Sequence, residues 1–297
     1  IEAKAEKTYK GQDKHVTIIN LNNFRDAQID YPSSFADLYQ AKVKDKPAPD
    51  PHQVKAIADV TDGLQKSDRG QMIMACGTGK TFTTLWIKEA LKSETTLVLL
   101  PSLSLLSQTM REWAWAGNTD FEILNVCSDK SVGKKTEDMA PSDAPFAVTS
   151  DVHEISKFLQ KSGPRVVFCT YQSSQLIAEA QLASDVPTFD LAIADEAHRC
   201  AGKADAGFAT ILDGEKIRAS KRLFTTATPR YFGKAIKDAS KAADLAVIGM
   251  DDETVFGPVI HQLTFGQAIQ DELLNDYQVV IVGVDEPMVK QWIDNYE

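Results

Sequence analysis

The stretch "IMACGTGKT", residues 73–81, decides the fold of this 297-residue chain. Its end, residues 77–81, is a glycine-rich turn, and residues 71–76 before the turn are typical of a short buried strand. Apolar positions at helical spacing follow over residues 81–91. A glycine-rich turn between a strand and a helix directs backbone N–H groups and the helix N terminus towards a polyphosphate. The stretch therefore predicts a phosphate-binding loop in an α/β fold.

The loop contains the side chains that a bound nucleotide needs. Lys80 is placed to contact the outer phosphates, and the Thr81 hydroxyl is placed to ligate Mg²⁺. The usual loop pattern begins with a glycine, where this chain has Met74. That glycine mainly relieves crowding at the entry to the loop, so Met74 weakens the pattern match but removes no phosphate ligand. The alternative interpretation is an ordinary glycine turn before a core helix.

Composition limits the partners and the location of the chain. The net charge of −10 is the opposite of the basic surface expected of a whole DNA-binding domain, so any nucleic-acid contact must be local. No apolar run approaches the roughly 18 residues of a membrane span, and the N terminus has no signal-peptide pattern. The four cysteines are isolated along the chain, which favours buried thiols over a disulfide or metal set. We therefore expect a cytoplasmic protein without a membrane partner.

Apolar runs alternate with helical patterns through the middle of the chain. Such alternation is typical of a mostly parallel sheet flanked by crossover helices. Asp151 with Glu154 is a plausible capping pair for one of these helices. The predicted strands are residues 72–76, 96–100, 121–127, 146–149, 166–170, 191–194 and 222–225.

The two ends of the chain lie outside this block. Residues 1–46 are expected to form a short N-terminal α/β appendage and a linker, and residues 47–262 the main domain. In the last segment, 263–297, residues 264–275 are predicted to be helical and residues 277–284 to form a strand. The chain lacks an initial methionine and stops just after this strand, so we expect a piece of a longer protein.

A pair of carboxylates supplies the partners that a phosphate loop needs for hydrolysis. Asp195 and Glu196 follow an apolar strand, at the edge where parallel sheets place their ligands. Asp195 is suited to hold Mg²⁺, and Glu196 to position and deprotonate a water molecule. Threonine hydroxyls in the stretch 225–230, "TTATPR", are placed to hydrogen-bond the acidic pair. The alternative interpretation is a solvated acidic turn after a strand.

Together these motifs resemble the first RecA-like lobe of superfamily 2 helicases and translocases, in the DEAH-box form. Gln53 matches the glutamine that reads adenine in that family, although Asp50 stands where an arginine often precedes it. The resemblance implies ATP and Mg²⁺ as cofactors. It assigns catalysis to Lys80, Asp195 and Glu196. It implies ATP binding by Gln53, Gly77, Thr78, Gly79, Lys80 and Thr81, Mg²⁺ ligation by Thr81 and Asp195, and coupling to nucleic acid by His198, Thr226 and Thr228.

Two further segments, residues 99–109 and 167–173, resemble parts of that family that touch the nucleic-acid backbone, and we expect the DNA contacts within residues 101–111 and 169–173. They imply DNA contacts by Ser102, Gln108, Arg111, Thr170, Tyr171 and Gln172. Trp113 and Trp115 could stack on bases, but packing against the sheet is the favoured interpretation. Lysines 130, 134 and 135 read as an exposed loop with a possible backbone contact, and Glu2 with Lys4 as part of a solvated helix rather than half of a nuclease motif.

The ends of the chain resemble type ISP restriction-modification enzymes more closely. This similarity implies that residues 1–46 are the tail of a nuclease-like domain, and that residues 263–297 lead towards a second RecA-like lobe. The expected function is then the ATP-hydrolysing motor lobe of a double-stranded DNA translocase, nearly inactive without that second lobe. Two alternatives stay open at this point. One is a strand-separating helicase of DNA repair or RNA metabolism, and the other is an isolated lobe that only binds nucleotide.

Overall fold

The computed structural model describes residues 46–128, 146–183, 185–203, 207–233 and 247–276 of the protein. The strands are β1 Arg69–Met74, β2 Thr95–Leu100, β3 Glu122–Val126, β4 Arg165–Thr170, β5 Phe189–Asp195, β6 Gly202–Lys203, β7 Ala219–Thr226, β8 Val247–Ile248 and β9 Val259–Leu263. The α-helices are α1 Pro51–Lys66, α2 Lys80–Ala90, α3 Leu103–Ala116, α4 Val152–Leu159, α5 Ser174–Ala180, α6 Glu253–Phe256 and α7 Phe265–Gln270. Short 3₁₀ turns occupy Tyr171–Ser173, Ala197–Cys200 and Gly207–Leu212.

Seven of these strands form one sheet in the order β3-β4-β2-β5-β7-β1-β9. All of its pairings are parallel, whereas β6 and β8 form a separate antiparallel pair. The strands that precede the predicted motifs, β1, β5 and β7, are neighbours at its centre. Because the carboxyl ends of parallel strands share one edge, the phosphate loop and the acidic pair meet there.

Helices pack on both faces of the sheet, and alternate residues of a strand pack into different hydrophobic clusters. In β2, for example, Leu97 and Leu99 pack in one buried cluster, while Val98 and Leu100 pack in the other. This is the period-two pattern of a strand covered on both sides, which explains why β2 reads as a continuous apolar run. The predicted RecA-like α/β fold with a mostly parallel sheet is confirmed.

The edges of the sheet differ from the prediction. Residues 146–149 were predicted to be a strand, but only one bridge forms, between Val126 and Thr149. The prediction is wrong because α4 begins three residues after this bridge. Glu154 also differs from its expected capping role, since it accepts a hydrogen bond from the Thr149 hydroxyl while Asp151 alone caps α4.

At the opposite edge, β9 was not predicted. Val259–Leu263 pairs with β1 through a register shift, and its burial is uneven, so it lacks the continuous apolar run of the central strands. The helix predicted over residues 264–275 is shorter, because α7 ends at Gln270 and turns follow.

Several predictions concern residues outside the described ranges. These are the N-terminal appendage with Glu2 and Lys4, the lysines at 130, 134 and 135, and the strand at 277–284. The proposed division into 1–46, 47–262 and 263–297 stays a prediction. Across the described part of the chain, every helix is too short or too polar to span a bilayer.

Candidate nucleotide site

The backbone of the phosphate loop turns at two glycines with positive φ angles. Gly77 has a φ of 84° and Gly79 a φ of 78°, a region that residues with a Cβ atom rarely adopt. Between them, the Thr78 hydroxyl donates a hydrogen bond of 2.8 Å to the carbonyl of Ala75. Helix α2 then starts at Lys80 with Gly79 as its N-cap. The turn thus places the N terminus of an eleven-residue helix at the loop, as an anion site requires.

Met74 occupies the first position of the loop pattern without entering the loop. It is the last residue of β1, pairs with Leu263 of β9, and has a fully buried side chain in the core. Its carbonyl faces the other way and accepts a hydrogen bond of 3.3 Å from Lys80 Nζ. The methionine side chain therefore leaves the phosphate-binding backbone unobstructed.

Gln53 is packed directly against the phosphate loop. Its Oε1 accepts a hydrogen bond of 2.9 Å from the Asp50 amide, and its Nε2 donates to the carbonyl of Gly79 at 3.3 Å. A Cβ atom on Gly79 would lie 2.2 Å from Gln53 Nε2, so a side chain here would displace the Gln53 amide as well as strain a backbone with a φ of 78°. Next to Gln53, the His52 ring nitrogen Nε2 lies 3.0 Å from the Thr78 carbonyl. The start of α1 and the loop are therefore one hydrogen-bonded unit.

A cavity of about 320 Å³ opens beside this unit. Its walls include Gln53, the loop glycines, and the aromatic side chains of Phe82 and Trp86. The two aromatic rings stack with centroids 5.9 Å apart. A flat apolar wall next to a phosphate loop suits the base of a nucleotide.

Thr81, the predicted Mg²⁺ ligand, is fixed through its backbone. Its carbonyl accepts a hydrogen bond of 2.9 Å from Trp113 Nε1 of helix α3. Trp113 is fully buried and meets Phe168 edge to face at 5.5 Å, which confirms the packing role predicted for it. Trp115 is 40% exposed and contacts Phe82.

Asp195 is the last residue of β5 and is held at two points. Its Oδ1 accepts a hydrogen bond of 2.8 Å from the Thr225 hydroxyl, and its backbone carbonyl accepts one of 2.6 Å from the Tyr171 hydroxyl. Burial raises the pKa of the Asp195 carboxyl, while the Thr225 hydrogen bond and the charge of Lys80 oppose that rise. Ile73 of β1 lies level with Thr226 of β7, and Asp195 lies level with Thr225, so the phosphate loop and the acidic strand end follow the same edge of the sheet. The carboxylate of Asp195 and the hydroxyl of Thr81 are hard oxygen donors, which suit Mg²⁺.

Glu196 follows in a left-handed conformation, with a φ of 51°. Its Oε2 lies 3.2 Å from His198 Nδ1, and the same nitrogen lies 2.9 Å from the Thr226 hydroxyl. The Thr226 oxygen also accepts a hydrogen bond of 3.1 Å from the Thr228 amide. The three residues predicted to couple nucleotide to nucleic acid are thus connected to Glu196 through His198.

The residues predicted to contact DNA divide into two groups. Gln108, Arg111 and Gln172 are exposed, and Ser102 is half-buried and caps α3 through a hydrogen bond from the Leu105 amide. By contrast, Thr170 and Tyr171 are buried, with the Thr170 hydroxyl directed at Ser173. The Tyr171 hydroxyl is directed at Asp195, so in this conformation these two side chains offer no surface to a DNA backbone.

Two contacts hold Asp195 at the end of β5. Thr225 belongs to the stretch 225–230, whose hydroxyls were predicted to hydrogen-bond the acidic pair, and its hydroxyl donates to the Asp195 carboxylate, although only Thr226 and Thr228 had been named as coupling residues. Thr225 lies level with Asp195 across β5 and β7. The contact between the Tyr171 hydroxyl and the Asp195 carbonyl was not predicted, since this residue had been expected to contact DNA.

Comparison with known proteins supplies a family. Residues 46–231 match the family described as "Type III restriction enzyme, res subunit". A probable helicase of African swine fever virus (isolate Tick/Malawi/Lil 20-1/1983) is 30% identical over 235 residues, covering 79% of this chain and 24% of the relative. The endonuclease subunit of the Escherichia coli type I restriction enzyme EcoAI is 24% identical over 238 residues, with the same coverage of both chains. The chain thus spans about a quarter of the length of these relatives.

Two solved structures share the fold of this chain. The type ISP restriction-modification enzyme LlaBIII, described as ATP-dependent and bound to DNA, is 34% identical with a TM-score of 0.66, covering 78% of this chain and 16% of that enzyme. A nuclease-deletion mutant of the type ISP enzyme LlaGI, in complex with a DNA substrate mimic, is 32% identical with a TM-score of 0.59, covering 84% and 23%. The predicted resemblance to the ATPase lobe of superfamily 2 proteins, and to type ISP enzymes in particular, is confirmed.

Proposed function

Because the chain belongs to the family of type III restriction enzyme res subunits, we propose that it is the ATP-hydrolysing lobe of a double-stranded DNA translocase from a restriction-modification enzyme. The proposal rests on one observation. The phosphate loop lies at the same edge of the sheet as Asp195 and Glu196. The three strands that end in these motifs, β1, β7 and β5, are neighbours in the sheet. A nucleotide on the loop would therefore present its outer phosphates to the acidic pair.

Each part of the site has a role in phosphoryl transfer. Gln53, Gly77, Thr78 and Gly79 form the cradle, and Lys80 neutralises charge on the outer phosphates. When bound, Mg²⁺ would be held by Thr81 and Asp195 and would neutralise charge on the phosphates. The Lys80 ammonium contacts only the Met74 carbonyl among described residues, so a phosphate could replace this partner at little cost.

Glu196 is the group placed to activate water. Its carboxylate lies 3.2 Å from His198 Nδ1, and the same nitrogen lies 2.9 Å from the Thr226 hydroxyl. A movement of β7 or of the loop after it would change the position of His198, and with it the position of the base. We therefore propose that His198, Thr226 and Thr228 couple ATP hydrolysis to the binding of nucleic acid.

Double-stranded DNA is the proposed nucleic-acid partner. The two type ISP enzymes that share the fold are described in complex with DNA or a DNA substrate mimic. On this lobe the exposed candidates are Gln108, Arg111 and Gln172, with Ser102 half-buried beside them. Arg111 is the one cation among these four candidates and the net charge of the chain is −10, so we expect the lobe to contact only a few phosphates, with a shallow dependence of affinity on salt. We also propose that a second RecA-like lobe and other domains of a longer parent chain complete the motor, which would work in the cytoplasm.

The decisive experiment measures ATP hydrolysis by the full-length protein with matched duplex DNA, single-stranded DNA and RNA. We expect duplex DNA to stimulate most, because a translocase follows the backbone of an intact helix. We also expect displacement of a triplex-forming strand without unwinding of the duplex beneath it. If the full-length protein hydrolyses no ATP under any of these conditions, the proposal is wrong.

A strand-separating helicase is the second candidate, because the viral relatives are described as probable helicases. The same assays separate the two. Selective stimulation by RNA, or efficient unwinding of a forked duplex, would favour the helicase over the translocase. The site geometry would serve either protein equally well, since both hydrolyse ATP. A third reading, that the lobe only binds nucleotide, would be favoured if binding occurs without hydrolysis in the full-length protein.

A further inference from the structure

One contact crosses the sheet between the two functional segments. Tyr171 follows β4, yet its hydroxyl donates to the carbonyl of Asp195 at the end of β5, 2.6 Å away. In the sheet, β2 lies between β4 and β5. Two strand spacings amount to about 10 Å, so this side chain passes over the end of β2 to reach its acceptor. Because β4 and β5 are not neighbouring strands, this contact does not follow from strand pairing.

The acceptor of this hydrogen bond belongs to the peptide that leads into Glu196. The Asp195 carbonyl and the Glu196 amide share one plane, and rotation of that plane changes the φ angle of Glu196. This angle is 51°, in the left-handed region that a residue with a side chain adopts only when its surroundings hold it there. The Tyr171 hydrogen bond fixes the plane from one side, and the Thr225 hydrogen bond fixes the Asp195 carboxylate from the other.

The tyrosine is itself part of a rigid turn. Its own carbonyl accepts a hydrogen bond of 2.7 Å from the Ser174 hydroxyl, and its ring packs against Phe208 at 5.3 Å. Ser173, in the same 3₁₀ turn, accepts a hydrogen bond of 2.8 Å from the Ser128 amide, two residues after β3. Gln172, between them, is exposed. One short turn thus presents an exposed amide side chain outwards and a buried phenol towards the acidic pair.

We propose that Tyr171 is a positioning residue, which sets the orientation of Glu196 and transmits displacement of the turn Tyr171–Ser173 to the acidic pair. DNA that pushes on the exposed side of the turn would move the phenol, and the phenol would rotate the peptide before Glu196. The inference rests on the proposed ATP hydrolysis. It gives the Tyr171 hydroxyl a partner within the protein, whereas the sequence predicted a DNA contact for this residue.

The test is Tyr171→Phe in the full-length protein, because phenylalanine keeps the ring that packs on Phe208 and removes only the hydroxyl. We expect kcat with saturating duplex DNA to fall about tenfold, KM for ATP to stay within about twofold, and stimulation by DNA to shrink. Tyr231→Phe is the matched control, since Tyr231 is 53% exposed. It should leave all three quantities unchanged. A Tyr171→Phe protein with normal kcat and normal stimulation overturns the inference, even if its melting temperature falls.

A second measurement needs no variant. In the unmutated protein, duplex DNA without nucleotide should alter amide hydrogen exchange of the peptide that contains residues 195–200. Unchanged exchange there, in a protein shown to bind DNA and hydrolyse ATP, rejects the inference and leaves the proposed function standing. Absence of ATP hydrolysis in the unmutated protein would instead reject the proposed function itself.

Discussion

His198 Nδ1 lies 2.9 Å from the Thr226 hydroxyl, which connects the turn after β5 to the end of β7. The same nitrogen lies 3.2 Å from the Glu196 carboxylate. One imidazole thus contacts both the group that would activate water and the strand end that would report the state of the nucleotide.

This relationship predicts strong coupling between the two residues. His198→Ala and Thr226→Val should each lower DNA-stimulated ATP hydrolysis about tenfold, and the double variant should be little worse than either. Such non-additivity corresponds to an interaction of about 1.4 kcal/mol. Steady-state rates of the full-length protein measure it, with His153→Ala as control because His153 is exposed on α4. Two fully additive effects would show that the contact carries no coupling.

Binding of nucleotide to the lobe can be tested through its thermal stability. ATP with Mg²⁺ should raise the melting temperature of this chain, because a ligand that binds only the folded state stabilises it by about 2.7 kcal/mol at a hundredfold excess over Kd. Lys80→Ala should remove the rise, whereas Lys66→Ala should keep it, since Lys66 forms only an exposed ion pair with Asp62. An equal rise in the Lys80 variant would mean that the loop does not bind phosphate.

The acidic pair should separate binding from hydrolysis in the full-length protein. Glu196→Gln keeps the size of the side chain but removes the base, so ATP should still bind while hydrolysis falls about 10²–10⁴-fold. Asp195→Asn should instead weaken Mg²⁺-dependent binding. Glu215→Gln, at an exposed glutamate, serves as the control. Normal hydrolysis by both site variants would contradict the proposed motor.

Lys88 gives a prediction on stability and pH. It is a buried residue on α2 with its ammonium 5.0 Å from the ring centroid of Phe121, and burial lowers its pKa from the usual 10.5. The folded state therefore binds this proton less tightly than the unfolded state, so its charge destabilises the fold below the folded pKa, and this penalty is lost as pH rises towards 10.5.

Lys88→Met should thus raise the free energy of unfolding at pH 7 by about 1 kcal/mol, a usual size for a single substitution. The gain should shrink at alkaline pH. Urea unfolding at the two pH values measures it, and Lys157→Met, at an exposed lysine of α4, should show neither effect. A loss of stability at pH 7 would mean that the contact with Phe121 outweighs the cost of burying the charge.

The sequence was sufficient for the central strands and the loop, and insufficient for the edges. β1, β2 and β5 are buried on both faces and read as apolar runs that end in polar motifs. In β9, exposed and buried positions mix after Gly257 and Pro258, which resembles a loop in sequence. The contacts of Tyr171 and Thr225 with Asp195 could not be foreseen in full, because they depend on the spatial order of β4, β2, β5 and β7.

The orientation of Met74 sets which substitutions the loop tolerates at its first position. The side chain belongs to the buried hydrophobic cluster that also contains Ala56 and Leu85, while the backbone carbonyl accepts the hydrogen bond from Lys80. Selection at this site would then act on volume and shape, so leucine or isoleucine should be accepted and aspartate or lysine rejected. Glycine itself should be the costly choice, since it would leave a void under the strand. Homologues that drift away from glycine here need not have lost their nucleotide.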